Sequence, residues 1–167
     1  DPHLGEKGML TDGGIRVPFL VSWKGTLPSG LIYNHPVISL DIAPTIFAAA
    51  GIPEQENLDG KNLLPYLTGE KSSEPHKALY WRFWDQAAIR SGQWKLIHTG
   101  DGVDYLFDLS LPESEKRNLA DMRPEKVNEL KLLLNNWARE LHPQGIPENG
   151  LRREKGFYNF YLNHNEK

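Results

Sequence analysis

Val127, Leu130, Leu133, Leu134, Trp137 and Leu141 recur at helical spacing, while Glu125, Lys126, Glu129, Lys131 and Glu140 occupy the opposite face. The pattern predicts an amphipathic helix over 124–141, with Pro124 at its first position, where a missing N–H leaves no bond unmade. Upstream, the segments 78–84, 87–90, 94–99 and 104–109 are short and aromatic-rich, and Ser91-Gly92, Gly100-Asp101-Gly102 and similar turn residues separate them. They predict an antiparallel meander, and the helix is expected to pack across it. Residues 15–23 are β-branched and aromatic, bounded by Gly13-Gly14 and Lys24-Gly25. They read as a buried strand of a mainly parallel sheet, with Pro18 placing it near an edge or at the strand's entrance. Residues 41–51 read as a short helix: Asp41 is the N-cap candidate, Pro44 sits inside the first turn and Gly51 is the terminator. Apolar residues surround most of that helix, so it is expected to be buried. Residues 58–69 hold a turn, a compact apolar patch and a glycine stop. The tail, 144–167, carries Phe157, Tyr158, Phe160 and Tyr161 without a clear period, and is expected to strap back over a larger domain.

Composition narrows the function classes. Of 167 residues, 39% are hydrophobic and 25% charged, which fits a folded protein and not a disordered one. The net charge of -3 comes with both signs interspersed. No basic stripe marks a nucleic-acid groove, so nucleic acid is not an expected partner. There is no cysteine, hence no disulfide and no thiolate metal site within the chain. Every apolar run is shorter than the roughly 20 residues needed to span a bilayer. The first residues lack an initiator Met and the regions of a signal peptide, so the expectation is a piece of something longer, with any export signal upstream. The polar stretch 70–77 is the best boundary candidate.

The chemistry starts at Lys7, which lies a fixed distance before Gly13-Gly14. A lysine there can present a positive charge to an oxyanion, although a single lysine in a glycine-rich loop is more often only solvated. The order of phrases carries more. Lys7-Gly8, Gly13-Gly14-Ile15-Arg16-Val17-Pro18, then Leu40-Asp41-Ile42-Ala43-Pro44-Thr45, then Asp59-Gly60-Lys61-Asn62-Leu63-Leu64-Pro65-Tyr66-Leu67 follow one another. In the second half come Ala88-Ile89-Arg90-Ser91-Gly92-Gln93-Trp94-Lys95-Leu96-Ile97 and Tyr105-Leu106-Phe107-Asp108-Leu109. Over roughly residues 1–142 this succession resembles the C-terminal part of type I, formylglycine-dependent sulfatases, arylsulfatase-like members of the alkaline phosphatase superfamily.

The resemblance implies an α/β fold: the end of an alkaline-phosphatase-like three-layer α/β/α domain, followed by a small antiparallel β-sheet subdomain packed by a long C-terminal helix. Its divisions would be 1–72 for the piece of the large domain, 73–143 for the sheet and helix, and 144–167 for the tail. It implies a hydrolase cleaving sulfate from an aryl or carbohydrate sulfate ester, in which Lys7 binds a sulfate oxygen. It implies Ca2+ and a formylglycine made from a C/S-x-P-x-R motif, with a sulfated small molecule or glycan and the remainder of the sulfatase chain as partners. It also implies a periplasmic or extracellular setting. The motif is missing here: Ser73-Glu74-Pro75-His76-Lys77 ends in Lys and sits in the polar linker. No metal ligand is assigned, and the piece alone is expected to be inactive. His3 is a substrate-binding candidate beside Lys7, against the plainer reading of a solvated loop histidine. Asp1 is weighed as a metal ligand and set aside as a chain end. Arg16 is expected to pair with a nearby carboxylate, and His35, His76, His98, His142 and His164 lack metal-ligand spacing. Trp81, Trp84 and Trp94, with Tyr80 and Phe83, read as core before they read as a sugar platform. The alternatives are a phosphodiesterase or phosphatase of the same superfamily, and a non-catalytic carbohydrate-binding or interaction module.

Overall fold

The structure, a computed structural model, describes residues 3–112, 114–142 and 150–163, with the side chains of 150–153 outside that description. Their elements run α1 (Asp12–Ile15), a 3-10 turn (Ser39–Asp41), α2 (Ile42–Ala49), α3 (Leu64–Leu67), β1 (Leu79–Phe83), β2 (Gln86–Ser91), β3 (Trp94–His98), β4 (Asp104–Asp108), α4 (Pro124–Ala138) and α5 (Gly150–Tyr161). They fall into two compact units. Asp1–Val17 with Tyr80–Lys167 makes one, and Pro18–Leu79 the other.

The first unit is built on the expected meander, a four-stranded sheet in the order β1-β2-β3-β4. In the antiparallel register Ala88 faces Ile97 and Ile97 faces Tyr105, while the neighbouring positions pair Ile89 with Leu96 and Leu96 with Leu106. Successive side chains point to opposite faces, and here both sets are fully buried, so the sheet is covered on both sides. One face carries Ile89, Leu96 and Leu106 and meets α4, which touches β2 and β3 and buries Val127, Leu130 and Leu134. Lys131 of α4 reaches Asp104 of β4 at 2.9 Å, on the same face. The other face carries Ala88, Ile97, Tyr105 and Phe107, which pack with Met9, Leu10 and Tyr158. Along β4 the free edge is closed by Asn118, which accepts from the Leu106 N–H at 2.9 Å and donates to the Asp104 carbonyl at 3.1 Å.

Tyr158 belongs to α5, so part of the tail is a helix and not an aperiodic strap. Phe157, Tyr158, Tyr161 and Leu162 share a face and pack on the core of this same unit. The short apolar stripe lies at one end of a polar segment, which hides its period. The residues 143–149 and 164–167 of the tail, His164 among them, lie outside the described ones.

In the second unit the phrases around 40 and 60 bind each other. Asp41 is buried and accepts from the Ile38 N–H at 2.9 Å and the Lys61 N–H at 2.8 Å, and its carboxylate meets His76 Nε2 at 2.9 Å. Thr45 accepts from the Leu63 N–H at 2.9 Å. A Cβ on Gly60 would collide with the Leu40 carbonyl, so only glycine lets the two segments meet. Asp41 is therefore a hub for loop backbone, and its side chain makes no N-cap bond to α2. At the other end Gly51 stops α2 as expected, with Ile52 N–H bonding the Phe47 carbonyl and Gly51 N–H the Ala48 carbonyl, a Schellman arrangement.

Two expectations fail in one way. Residues 16–23 form no strand, and Val17 is 74% and Leu20 88% exposed. Helix α2 buries none of its residues, and Ile42 and Ile46 face out. A parallel strand exists only between neighbours that complete its ladder, and among the described residues nothing pairs with 16–23.

The face assignment of α4 has a direct check. Leu130→Ala should cost about 2–5 kcal/mol of stability, because it empties a closed site, whereas Leu132→Ala, at a position 63% exposed, should stay within about 0.5 kcal/mol. Urea unfolding of the two variants measures the difference, and equal costs would place the buried face elsewhere.

Candidate functional site

Residues 3–16 fold into a closed loop that presents Lys7. The Gly13 N–H bonds the Leu4 carbonyl at 2.8 Å, and the Met9 N–H bonds the Glu6 carbonyl at 3.1 Å. A Cβ on Gly13 would strike the Leu4 and Gly5 carbonyls, and one on Gly14 the Met9 carbonyl. The paired glycines are needed because the chain crosses itself at that point, inside the one-turn helix α1. Met9 and Leu10 plunge into the core, so the loop is rooted on one side while Glu6 and Lys7 stay exposed.

Under the loop lies a deeply buried charge. Lys95, on the loop-facing side of β3, is 1% exposed. Its ammonium donates to Glu115 Oε1 at 2.5 Å and to Asp12 Oδ1 at 2.9 Å, and the second Glu115 oxygen accepts from the Asp12 N–H at 2.7 Å. Burial pushes the Asp12 carboxyl up, but attraction to Lys95, the Lys95 hydrogen bond and the nearby Arg16 and Arg90 together hold it below the usual carboxylate range. Burial raises the Glu115 carboxyl, and Lys95 and the Asp12 N–H offset only part of that while the Asp12 charge adds to it. The pair therefore shares one cation unequally, with Asp12 the firmer anion.

A second, neutral set of bonds holds the segment after Lys7. Gln86 Nε2 donates to the Gly8 carbonyl at 2.7 Å, the Tyr158 hydroxyl donates to Gln86 Oε1 at 2.7 Å, and the Leu10 N–H meets that hydroxyl at 3.4 Å. Gln86 and Tyr158 are both buried, and burial keeps the Tyr158 phenol well above its ordinary pKa, so it remains a donor.

Lys7 is exposed, and its ammonium pairs with no carboxylate among the described residues. His3 lies half-buried in the same loop, also without a hydrogen bond to a described residue. Asp1 is outside the described residues. Arg16 pairs with Asp12 at 3.5 Å, as expected of it. His76, His98 and His35 meet Asp41, Asp104 and Glu74 respectively, each a single carboxylate. Among the aromatics, Tyr80 stacks on Trp137 and Phe83 on Trp84, and Trp81 packs against the core. No group of three or more His, Cys, Asp or Glu able to hold a metal occurs among the described residues, so the calcium implied by the resemblance finds no cage there.

Lys95, Glu115, Gln86 and Tyr158 went unremarked as site residues in the sequence. A signal existed for Lys95: it occupies an inward position of a strand between Trp94 and Leu96-Ile97, where a charge needs a buried partner.

Comparison with known proteins places these features in a family. The sequence model described as N-sulphoglucosamine sulphohydrolase, C-terminal, matches residues 3–142. Arylsulfatase K of Danio rerio is 33% identical over 144 residues, covering 78% of this chain and 27% of the relative. Choline-sulfatase of Rhizobium meliloti (strain 1021) is 29% identical over 167 residues, covering 90% of this chain and 32% of the relative. Among solved structures, Ps i-CgsB in complex with k-i-k-neocarrahexaose superposes with a TM-score of 0.71 at 33% identity, over 81% of this chain and 32% of that one. The chain thus spans about a third or less of the length of these relatives.

The charge network makes a pH-dependent prediction. Lys95→Ala should cost about 3–5 kcal/mol near neutral pH, because the buried Glu115 and the partly buried Asp12 lose their cation. Glu115 is raised by burial even with Lys95 present, and without Lys95 it rises further while Asp12 loses the two largest influences that lower it. Stability from a group so raised is present below the unfolded value, about 4, and lost as pH rises through the folded value. The deficit relative to wild type should therefore shrink as pH is lowered toward 4 in urea unfolding, and a pH-independent deficit would contradict the pairing.

Proposed function

Because the chain belongs to the N-sulphoglucosamine sulphohydrolase C-terminal family, we propose that it is the C-terminal part of a sulfatase that hydrolyses sulfate esters, and that Lys7 is its contact with the sulfate group. The observation that supports this most directly is the loop itself. A lysine with no carboxylate partner among the described residues stands at the exposed turn of a loop whose backbone is locked from below by Asp12 and Lys95. A buried ion network is expensive to desolvate, and here it holds a segment with almost no core of its own beyond Met9 and Leu10.

The chemistry suits that placement. Breaking the S–O bond of a sulfate ester builds negative charge on the sulfuryl and leaving oxygens. An ammonium fixed near them stabilises that charge more in the transition state than in the ground state. Calcium and a formylglycine would supply the nucleophilic chemistry in such an enzyme. The residues described here do not fit either group, since the chain lacks cysteine and the C/S-x-P-x-R motif. The remainder of a longer sulfatase chain is thus the proposed partner, and the exposed apolar residues 17–23 are proposed to complete a sheet with it. Carbohydrate sulfates are the preferred substrate class, supported by the related structure in complex with k-i-k-neocarrahexaose, with aryl sulfates as the simple probe.

In the full-length enzyme, Lys7→Ala should lower kcat by about 10²–10³-fold on a sulfate ester, the usual loss when one oxyanion donor is removed. Thermal unfolding should be unchanged, since Lys7 is exposed. Steady-state kinetics with 4-nitrophenyl sulfate and a sulfated oligosaccharide tests this, and wild-type rates would remove Lys7 from the site. The 167-residue chain alone should turn over neither compound, and measurable release of sulfate by it would refute the division of the site.

A further inference from the structure

The family match ends at residue 142, yet α5, at Gly150–Tyr161, reaches back to the Lys7 loop. Tyr158 and Gln86 grip the loop at two backbone groups, the Gly8 carbonyl and the Leu10 N–H, immediately after Lys7. Gly8 has φ +102 and lies against the Phe157 ring, so the same helix also covers the turn from the side. The Tyr158 ring stacks on Tyr105 with centroids 5.2 Å apart. Its packing is thus independent of its hydroxyl, which serves only this chain of bonds. The pair satisfies the Gly8 carbonyl and the buried Leu10 N–H, two backbone groups that apolar side chains of equal shape would leave without these partners. What the polar pair adds is direction, because it fixes which way the peptide after Lys7 points.

We propose that Tyr158 and Gln86 are positioning residues for Lys7, setting the direction in which its ammonium leaves the loop by holding the Gly8 carbonyl and the Leu10 N–H. The C-terminal helix, outside the part of the chain that the family match covers, is then a working component of the sulfate site. A lysine side chain is long and free at every torsion, so a peptide that tips even slightly moves its ammonium by ångströms. The inference rests on the sulfate-binding role of Lys7.

The test is a double-mutant cycle in the full-length enzyme with 4-nitrophenyl sulfate. Tyr158→Phe and Gln86→Met should each lower kcat about tenfold with KM little changed, the mark of a contact made in the transition state. In a Lys7→Ala background neither substitution should lower kcat further. Full additivity there, or unchanged kcat in the single variants, overturns the proposal. If Tyr158→Phe does not fold, Gln86→Met decides the matter, and failure of both to fold overturns the proposal in favour of a purely structural clamp. A Lys7→Ala enzyme with wild-type rates strikes the functional reading instead, which separates the two failures.

Discussion

The first unit depends on the removal of one ammonium from water. Lys95 sits beneath a loop with both of its anionic partners drawn from elsewhere, Asp12 from the loop and Glu115 from the turn after β4. A lone buried charge would shift its equilibrium or unfold its surroundings, so these three groups must arrive together. Other features follow from that. Glu115 adopts φ 62, a left-handed conformation that costs a non-glycine residue about 1–2 kcal/mol, and its carboxylate is held there at both oxygens. Asp12 can reach Lys95 only if α1 begins where it does, and that start requires the loop to cross itself at Gly13 and Gly14. The register of β3 against β2 and β4 then decides on which face Lys95 emerges, since a slip of one residue would turn it toward α4.

What the sequence made legible was what local patterning determines. The four strands and α4 fall within a residue or a few of the predicted spans, because turns and periodicity are properties of neighbouring residues. Residues 16–23 show the opposite case. Their composition suits a strand, but a strand is a relation between segments, and the pairing partner is not among the described residues. The expected burial of α2 failed for the same reason. Asp41 does occupy the N-cap position of α2, but its carboxylate makes no capping bond and serves Ile38, Lys61 and His76, and Lys61 and His76 are groups that no local pattern brings to it.

The site divides along similar lines. The proposal of Lys7 as a sulfate contact rests on the succession of phrases around it, because a lysine in a glycine-rich loop has no chemistry of its own to advertise. Lys95, Glu115 and Gln86 were missed because charged and amide side chains are ordinarily exposed, and their burial is a tertiary fact. Tyr158 was passed over as one aromatic among several in a tail of weak period. Family phrases and physical contacts nevertheless agree. Gly13-Gly14 is a steric requirement of the crossing loop, Asp59-Gly60-Lys61 is a close approach of two backbones, and the Trp94-Lys95 pair places a charge where Asp12 needs it.

These contacts bear on how a mobile side chain can serve a site. Lysine carries about 2 kcal/mol of rotamer entropy, and all of it opposes the capture of an anion in one geometry. A loop that also moved would add its own backbone entropy to that cost. Here the backbone is fixed before any ligand arrives, by the Leu4–Gly13 bond at one end, the Asp12–Lys95 bond below and the Gln86 bond to Gly8 beside the lysine. Only the side-chain torsions of Lys7 are left to be ordered. With one face of the sheet committed to α4 and the other to this loop and α5, the meander acts as a frame, and the rigidity of the frame is what a fixed charge at the edge of a sulfate site would require.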